Sequence, residues 1–506
     1  MYEDRIRHAG LRGRVVTAEE AQAWIQNGMT VGVSGFTRAG DVKAVPKALA
    51  AQVKKTGEVR KINLYSGASL GESDPILSES GVINSRLPFI ADAVTRKAIN
   101  RGDIRYMDQH LSHTVEILRT GVLGHMDLAI IEATAITENG GIIPTTAVGN
   151  SPVFVEKADK IIIEVNLAMP LNFEGLHDIY IPQDRPSRQP IPIMNVSDRI
   201  GVPYITCDPD KILGIVISNE SDSPSDLPPA DAETERMAGH ILELLSHEVR
   251  RGRLPATLGP LQSGVGQVAN AVLSGLRNGP FEGLTVYTEV AQDAVFELMD
   301  AGKVAFASAN SLTLSQSMQE RVLTQLDAYR DKMVLRPQEL TNHPEVIRRL
   351  GVIAINTALE VDVYGNVNST HVGGTHMMNG IGGSGDFARN AALTIFVTKS
   401  LAKDGKISSI IPFTPHVDHT EHDVDIIVTE QGIADLRGLT PRERSKEILA
   451  HVVHPMYREA LADYVQRATA RGGQTPHLLS EALSWHTRFE QTGDMRLAEL
   501  VGTVNK

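Results

Sequence analysis

Short apolar runs alternate along the chain with stretches in which apolar residues recur every three or four positions. Runs such as 62–65, 127–132 and 160–165 are bounded by glycine or polar turns, which is typical of buried strands. A capping box at 17–20 opens one of the helical stretches. This alternation of strand and helix patterns predicts an α/β fold with a mostly parallel sheet.

The two halves of the chain repeat one order of patterns. Each has a strand, a glycine-containing turn (138–141 and 364–366), a further strand or polar stretch, a loop, a helix and a closing strand (160–165 and 393–397). The repeat predicts two similar open α/β domains, each with a hairpin added to its parallel sheet.

A polar, proline-rich stretch at 221–230 separates the two halves and has no apolar period. It predicts a linker between an N-terminal domain at 1–220 and a C-terminal domain at 231–506. The C-terminal part is predicted to be mostly helical from Thr440 onward, with one of its helices at 476–486.

The segment 261–293 carries the main candidate for chemistry. A glycine turn, 263–266, precedes a helical pattern with Val268, Ala271, Val272 and Gly275–Leu276 on one stripe, and the strand pattern 284–287 then leads into Glu289. Open α/β sheets bind their ligands at the carboxyl ends of strands, and a glycine turn can offer free N–H groups to an anion. On spacing alone, the alternative for Glu289 is a solvated loop residue or a helix cap.

Composition narrows the class of partner. The net charge of −12 argues against nucleic acid as the main partner, although it leaves room for a local basic pocket. The only cysteine, Cys207, suits a reducing cytosol, so we expect a cytoplasmic protein. No stretch approaches the roughly 18 apolar residues that a membrane helix needs, so we expect no membrane partner.

Two further motifs invite a cofactor or a metal. Residues 380–385 match GxGxxG, but the preceding segment, 375–379, is not predicted as a strand, so the context of a dinucleotide site is missing. His416, His419 and His422 suggest zinc, yet their spacing is not that of an HExxH helix and no cysteine assists. We therefore expect glycines that allow a ligand close to the backbone, and histidines with structural or hydrogen-bonding roles.

Several motifs together resemble the acetyl-CoA hydrolase/transferase family of class I CoA-transferases, which includes succinyl-CoA:acetate CoA-transferases. The motifs are PLQSGVGQVANAV, YTEVAQD, MNGIGGSGDFARN and TEQGIADLRG. The resemblance covers essentially the whole chain. It implies two CoA-transferase-type α/β domains with the active site between them, and it implies that Glu289 is the nucleophile.

The resemblance also implies roles for other residues. The N–H groups of Val265 and Gly383 are the implied oxyanion donors. Lys403 is the implied contact of a CoA phosphate, and a solvated basic loop is the alternative for Lys399, Lys403 and Lys406. Asn342 is implied to help hold the acyl carboxylate, although it could instead cap the helix predicted at 344–350. Glu430 follows a second strand and is expected to orient the site, while Ser69 and Arg86 are weaker candidates for facing the acid. The implied CoA-binding set is Leu261, Gln262, Ser263, Gly264, Val265, Leu359, Asn379, Gly383 and Lys403.

The implied activity is transfer of CoA between a short-chain acyl-CoA and a carboxylic acid through a glutamyl-CoA thioester. CoA is then a substrate, and no permanently bound cofactor or metal is expected. The alternatives are acetyl-CoA hydrolysis, propionyl-CoA:succinate transfer, an acyl-CoA-binding protein without catalysis, and a nicotinamide-linked oxidoreductase. A homodimer is expected from the resemblance and from the commonness of two-fold assemblies.

Overall fold

The computed structural model describes residues 2–225, 229–264 and 266–496. The chain divides into two compact units. The first contains residues 1–227, 282–350 and 379–386, and the second contains 228–281, 351–378 and 387–506. This division differs from the predicted domains, because residues 282–350 belong to the first unit. The predicted linker and domain bounds stay a prediction.

The first unit contains a sheet of eight strands whose neighbouring pairs are all parallel. In spatial order the strands are Val15–Val16, Ile212–Ser218, Lys160–Asn166, Leu128–Ala133, Thr30–Val33, Ile62–Tyr65, Ile83–Leu87 and Arg105–Tyr106. The hairpin Ala135–Ile136 and Ile142–Ile143 is antiparallel. The predicted α/β architecture with a mostly parallel sheet is confirmed.

A second group of strands in the first unit leads to Glu289. Leu284–Tyr287 pairs in parallel with Val304–Ala309, which pairs in parallel with Met333–Leu335. The short strands Val290–Ala291 and Ser311–Leu312 continue this pairing. The helices of the unit are Ala18–Ala21, Ala44–Thr56, Ser73–Glu79, Ala93–Arg101, Leu111–Arg119, Ser151–Lys157, Asp293–Asp300, Gln316–Thr324, Gln338–Thr341 and Pro344–Leu350, with Ser384–Asn390 crossing into the second unit.

The second unit has its own set of mainly parallel strands. Leu261–Ser263, Ile353–Thr357, Leu393–Val397 and Ile426–Thr429 pair in parallel in that order, and Gly432–Asp435 is antiparallel at the edge. Shorter strands are Glu360–Asp362, Val367–Asn368, His371–Val372, His376–Met377, Leu401–Ala402, Ile407–Ser408 and Ile410–Ile411. The helices are Ala232–Arg250, Gln267–Leu276, Pro441–His451, Pro455–Arg471 and Ser484–Thr492.

Three local predictions need correction. The helix Gln267–Leu276 buries Ala269, Val272, Leu273 and Leu276, a face that is rotated from the predicted one. The helix has apolar residues on two adjacent faces, so its sequence fits either orientation. The predicted helix 476–486 instead begins at Ser484. The segment before it is held by side-chain contacts: the Tyr464 hydroxyl accepts the Leu478 N–H at 3.3 Å. His376–Met377 is a two-residue antiparallel strand, where no strand was predicted.

Candidate active site

Glu289 lies just beyond the carboxyl end of the strand Leu284–Tyr287. The Glu289 carbonyl accepts the N–H groups of Asn310 at 2.9 Å and Ser311 at 3.0 Å. Both donors directly follow the neighbouring strand Val304–Ala309, so the two strand ends are joined at this point. The backbone of Glu289 is therefore fixed by the sheet, and its side chain starts from a defined position.

Asn342 supplies the amide that contacts the Glu289 carboxylate. Its Nδ2 donates to Oε1 of Glu289 at 2.7 Å, and its Oδ1 accepts from the Thr341 hydroxyl at 3.0 Å. Asn342 is fully buried and follows the short helix Gln338–Thr341. The Tyr287 hydroxyl donates to the Leu340 carbonyl at 2.6 Å and ties this helix to the strand that carries Glu289. Both the oxygen and the nitrogen of the Asn342 amide are thus hydrogen-bonded at the site.

Gly383 lies against the same carboxylate. A methyl group at its Cα would overlap Oε1 of Glu289 and Nδ2 of Asn342. Only glycine leaves room here, because it lets backbone approach a side chain this closely. The neighbouring glycines have similar reasons: a methyl group at Gly380 would overlap the Tyr106 hydroxyl, and one at Gly385 would overlap the His110 ring.

Asp386 is a second carboxylate at the site, and it was not predicted. It lies in the first turn of the helix Ser384–Asn390 and is 4% exposed. It accepts from the Ser112 N–H at 2.9 Å, from the Ser112 hydroxyl at 2.5 Å and from Asn342 Nδ2 at 3.3 Å. The Asn342 amide therefore bridges two carboxylates, those of Glu289 and Asp386.

Burial makes both carboxyls weak acids. Burial raises the pKa of Glu289 to about 8. The hydrogen bond from Asn342 lowers this pKa in part, and the charge of Asp386 adds to the rise. Glu289 as a residue is half-buried, and its carboxyl group is the part that Asn342 and Gly383 contact. Burial likewise raises the pKa of Asp386 to about 7, against the bonds from Ser112 and Asn342. The site therefore holds ionisable protons near neutral pH.

The glycine run 380–385 is braced by a neighbouring loop of the first unit. The Ile381 N–H donates to both Asp108 oxygens, at 2.9 and 3.0 Å, and Asn379 Nδ2 donates to the Gly380 carbonyl at 2.9 Å. The strand before the run is two residues long and antiparallel, and the following helix begins inside the GxGxxG motif. This is not the parallel strand, turn and helix of a dinucleotide site.

Three of the predicted CoA-binding residues form the strand Leu261–Ser263 of the second unit, and Gly264 follows it. Gln262 is buried and exchanges two 3.3 Å hydrogen bonds with Asn356 on the adjacent strand. The Gly264 N–H donates to the Ile355 carbonyl at 2.9 Å, and the Leu359 N–H donates to the Asn368 carbonyl at 2.9 Å. Val265, the other predicted oxyanion donor, lies outside the described residues.

Two of the three predicted lysines differ in what surrounds their ammonium groups. Lys399 forms ion pairs with Asp231 and, at 3.0 Å, with Glu233. Lys403 is exposed in the turn of the hairpin Leu401–Ala402 and Ile407–Ser408, with its Nζ 4.9 Å from the centre of the Phe489 ring. An exposed cation at the tip of a hairpin suits a phosphate contact better than one already paired with two acids.

Glu430 follows the strand Ile426–Thr429 and is 7% exposed. It accepts from the N–H of Ser400 at 2.9 Å, from the hydroxyl of Ser400, and from Gln431 Nε2 at 3.0 Å. Burial tends to raise the pKa of Glu430, but these bonds outweigh burial and lower it. Glu430 is an ionised carboxylate that fixes the loop after the strand Leu393–Val397.

The side chains of Ser69 and Arg86 form hydrogen bonds within the first unit. The Ser69 hydroxyl accepts the Ala91 N–H at 2.7 Å. Arg86 is fully buried and donates to Asp74 at 2.8 and 3.1 Å and to the Ala68 carbonyl at 3.0 Å. These contacts make Arg86 part of the core of the unit.

His416 and His419, which were predicted to be structural, make hydrogen-bond and ring contacts. His416 Nε2 lies 3.2 Å from Asp418, and the buried ring of His419 lies 4.7 Å from that of Phe396.

Within the described ranges, no group of three or more His, Cys, Asp or Glu side chains is arranged to hold a metal ion. Within the same ranges, no helix has the length and hydrophobicity to cross a membrane.

Sequence comparison identifies similar proteins along nearly the whole chain. Models of the N-terminal and C-terminal domains of acetyl-CoA hydrolase/transferase match residues 3–217 and 319–465. A succinyl-CoA:acetate CoA-transferase of Clostridium kluyveri is 51% identical, over 98% of this chain and 92% of that protein. An acetyl-CoA hydrolase of Saccharomyces cerevisiae is 43% identical over 98% of each chain. A propanoyl-CoA:succinate CoA transferase of Escherichia coli is 42% identical, over 95% of this chain and 98% of the other.

Solved structures share the fold at lower identity. RipA from Yersinia pestis is 22% identical with a TM-score of 0.70, over 90% of this chain and 97% of that one. A 4-hydroxybutyrate CoA-transferase from Porphyromonas gingivalis is 20% identical with a TM-score of 0.61, over 90% and 98%.

Proposed function

The chain belongs to the acetyl-CoA hydrolase/transferase family, and from that premise we propose that it transfers CoA between a short-chain acyl-CoA and a carboxylic acid. Glu289 is the covalent carrier, and succinyl-CoA with acetate is the pair that the 51% identical relative favours. One observation carries the proposal. The buried carboxyl group of Glu289 lies at a strand end, accepts a hydrogen bond from the Asn342 amide and is in close contact with the backbone of Gly383.

The first half of the cycle forms a glutamyl thioester. A Glu289 oxygen attacks the thioester carbonyl, the C–S bond breaks, and CoA thiolate leaves behind an acyl–glutamyl anhydride. The thiolate then attacks the glutamyl carbonyl of the anhydride. The bond between that carbonyl and the bridging oxygen breaks, and the first carboxylate departs.

The second half reverses these steps with a different acid. The incoming carboxylate attacks the glutamyl thioester and expels thiolate, which attacks the new acyl carbonyl and restores the Glu289 carboxylate. Protons and charge balance without a metal, a nicotinamide or ATP. The backbone N–H of Gly383 and that of Val265 are the proposed donors to the developing oxyanions.

A site from which water is excluded favours transfer over hydrolysis, because water competes with the acid for both acyl intermediates. Hydrolysis is the second candidate, since the yeast relative is named for it. Incubating the protein with acetyl-CoA, with and without succinate, distinguishes them. We expect succinyl-CoA only when succinate is present, with little free CoA in its absence. Free CoA released equally fast in both mixtures would indicate a hydrolase, and no loss of acetyl-CoA in either would contradict the proposal. Propionyl-CoA in place of acetyl-CoA tests the remaining alternative, propionyl-CoA:succinate transfer.

Coenzyme A is proposed to bind through Leu261, Gln262, Ser263, Gly264, Val265, Leu359, Asn379, Gly383 and Lys403. Lys403 gives the sharpest test. Lys403→Ala should raise KM for acyl-CoA about tenfold and leave KM for the acid nearly unchanged, because a contact with a charged phosphate is worth roughly 1.5–3 kcal/mol.

The matched control is Lys399→Ala, a lysine four residues away that is already paired with Asp231 and Glu233. It should leave both KM values close to those of the native protein. A similar rise of the two KM values in Lys403→Ala would show that Lys403 does not contact CoA.

Two statements about the assembly complete the proposal. We expect a homodimer, since two-fold assemblies are the commonest among soluble oligomers, and light scattering would give the mass. A cytoplasmic location agrees with a single, buried cysteine, Cys207, and fractionation of cells would test it.

A further inference from the structure

We propose that Asp386 is a positioning residue for Glu289: its carboxylate fixes the orientation of the Asn342 amide and holds a second acidic group beside that of Glu289. This inference rests on the proposed function, in which Glu289 is the nucleophile. Asp386 itself acts only through Asn342 and through space.

The first argument is the geometry of the amide. Its NH₂ group has two hydrogens, and its Nδ2 lies 2.7 Å from Glu289 and 3.3 Å from Asp386, while its oxygen faces the Thr341 hydroxyl. A flipped amide would turn its oxygen toward two carboxylates. The two acids together therefore dictate which end of Asn342 faces Glu289.

The second argument is the way in which Asp386 is held. Both of its oxygens are bonded by Ser112, at the start of the helix Leu111–Arg119, which is 274 residues away in sequence. These bonds stabilise the ionised form of Asp386 and partly offset its burial. Ser112 thus holds an ionisable acid beside the nucleophile, where an apolar side chain would carry no charge at any pH.

The third argument concerns the neighbours of the pair. Close to Asp386, the titratable groups on adjacent elements are Glu289 at the strand end and His110, whose ring lies beside Gly385. Asp108 is bonded to the N–H of Ile381, on the same glycine run. The charge of Asp386 opposes ionisation of Glu289 and adds to the rise in its pKa that burial causes.

This arrangement has a chemical consequence. A carboxylate of ordinary basicity is a weak nucleophile, and its reactivity increases with its basicity. When Glu289 is acylated its charge disappears, and the repulsion from Asp386 is relieved. Asp386 therefore lowers the free energy of the acylated states relative to the free carboxylate.

The test is the pH dependence of kcat/KM for acyl-CoA. In Asp386→Asn the acidic limb of the profile should move down by about one pH unit, because removing a like charge lowers the pKa of its neighbour. The plateau should fall severalfold, because the remaining carboxylate is less basic. Asp425→Asn, which removes a partly buried acid bonded to the Thr394 N–H, is the control and should leave the limb in place.

A second variant covers the possibility that Asp386→Asn does not fold. Ser112→Ala removes one donor to ionised Asp386 and should shift the limb in the same direction by a smaller amount. An unchanged limb in a folded Asp386→Asn overturns the inference, and so does an unchanged limb in Ser112→Ala if only that variant folds. Failure of the proposed function is distinguishable, because the native protein would then form no acyl intermediate on Glu289.

Discussion

Two glutamates of this chain follow a threonine at the end of a parallel strand, yet their surroundings differ. Glu430 accepts three hydrogen bonds from Ser400 and Gln431, and its pKa is lowered. Among the residues that the structure describes, Glu289 receives one side-chain hydrogen bond, from Asn342, beside a second acid, and its pKa is raised to about 8. A carboxylate surrounded by donors stabilises structure, whereas a desolvated one with few donors is suited to covalent chemistry.

Replacing each glutamate by glutamine should separate the two roles most strongly. Glu289→Gln should lower kcat by at least about 10³-fold with the fold and CoA binding intact, because an amide is a poor nucleophile. Glu430→Gln should lower kcat/KM by no more than about tenfold and should reduce the melting temperature, because a donor-rich carboxylate loses its charge-assisted bonds. Turnover assays and thermal unfolding measure both. Equal losses of activity in the two variants would remove the distinction.

The amides beside the two glutamates give the next largest effect. Asn342→Ala should lower kcat/KM about 10- to 100-fold, because a hydrogen bond to a charged group is worth roughly 1.5–3 kcal/mol. Gln431→Ala, which removes the corresponding amide from Glu430, should change kcat/KM by less than about threefold. Steady-state kinetics with acyl-CoA compares them. If Gln431→Ala were the more damaging variant, the assignment of roles would be reversed.

The smallest expected effect is on the pH dependence of stability. Folded Glu289 keeps its proton up to about pH 8, whereas the unfolded chain loses it near its ordinary pKa of 4.5, so ionisable Glu289 destabilises the protein increasingly as the pH rises between these values. Glu430 has a lowered pKa, so its stabilisation is present above the ordinary value and is lost as the pH falls through the lowered one.

Thermal unfolding from pH 3 to pH 8 checks these opposite signs. Relative to the native protein, Glu289→Gln should gain stability as the pH rises from about 5 to about 8. Glu430→Gln should be less stable than the native protein by a nearly constant amount above about pH 5, and that difference should shrink as the pH falls below the ordinary pKa of 4.5. A Glu289→Gln difference that does not vary with pH would mean that the Glu289 carboxyl is not desolvated.

Local patterns predicted the strand ends and missed the contacts between distant segments. The strand pattern 284–287 placed Glu289 correctly at a strand end, and the glycine run pointed to close approach of backbone, which occurs at Gly383. Asp386 lies in the motif MNGIGGSGDFARN, but its partner Ser112 is 274 residues away and carries no local signal. Periodicity also could not choose between two apolar rows of the helix Gln267–Leu276, because packing against other elements decides which row is buried.

Covalent trapping tests the central claim most directly. Native protein incubated with acyl-CoA alone and then treated with borohydride should have its glutamyl thioester reduced to an alcohol, a loss of about 14 Da for a carboxylic acid that becomes a primary alcohol. Peptide mapping should assign this loss to Glu289, and Glu430 should remain unmodified. A protein that turns over normally while Glu289 stays unmodified, or while the loss lies on another residue, would contradict the account.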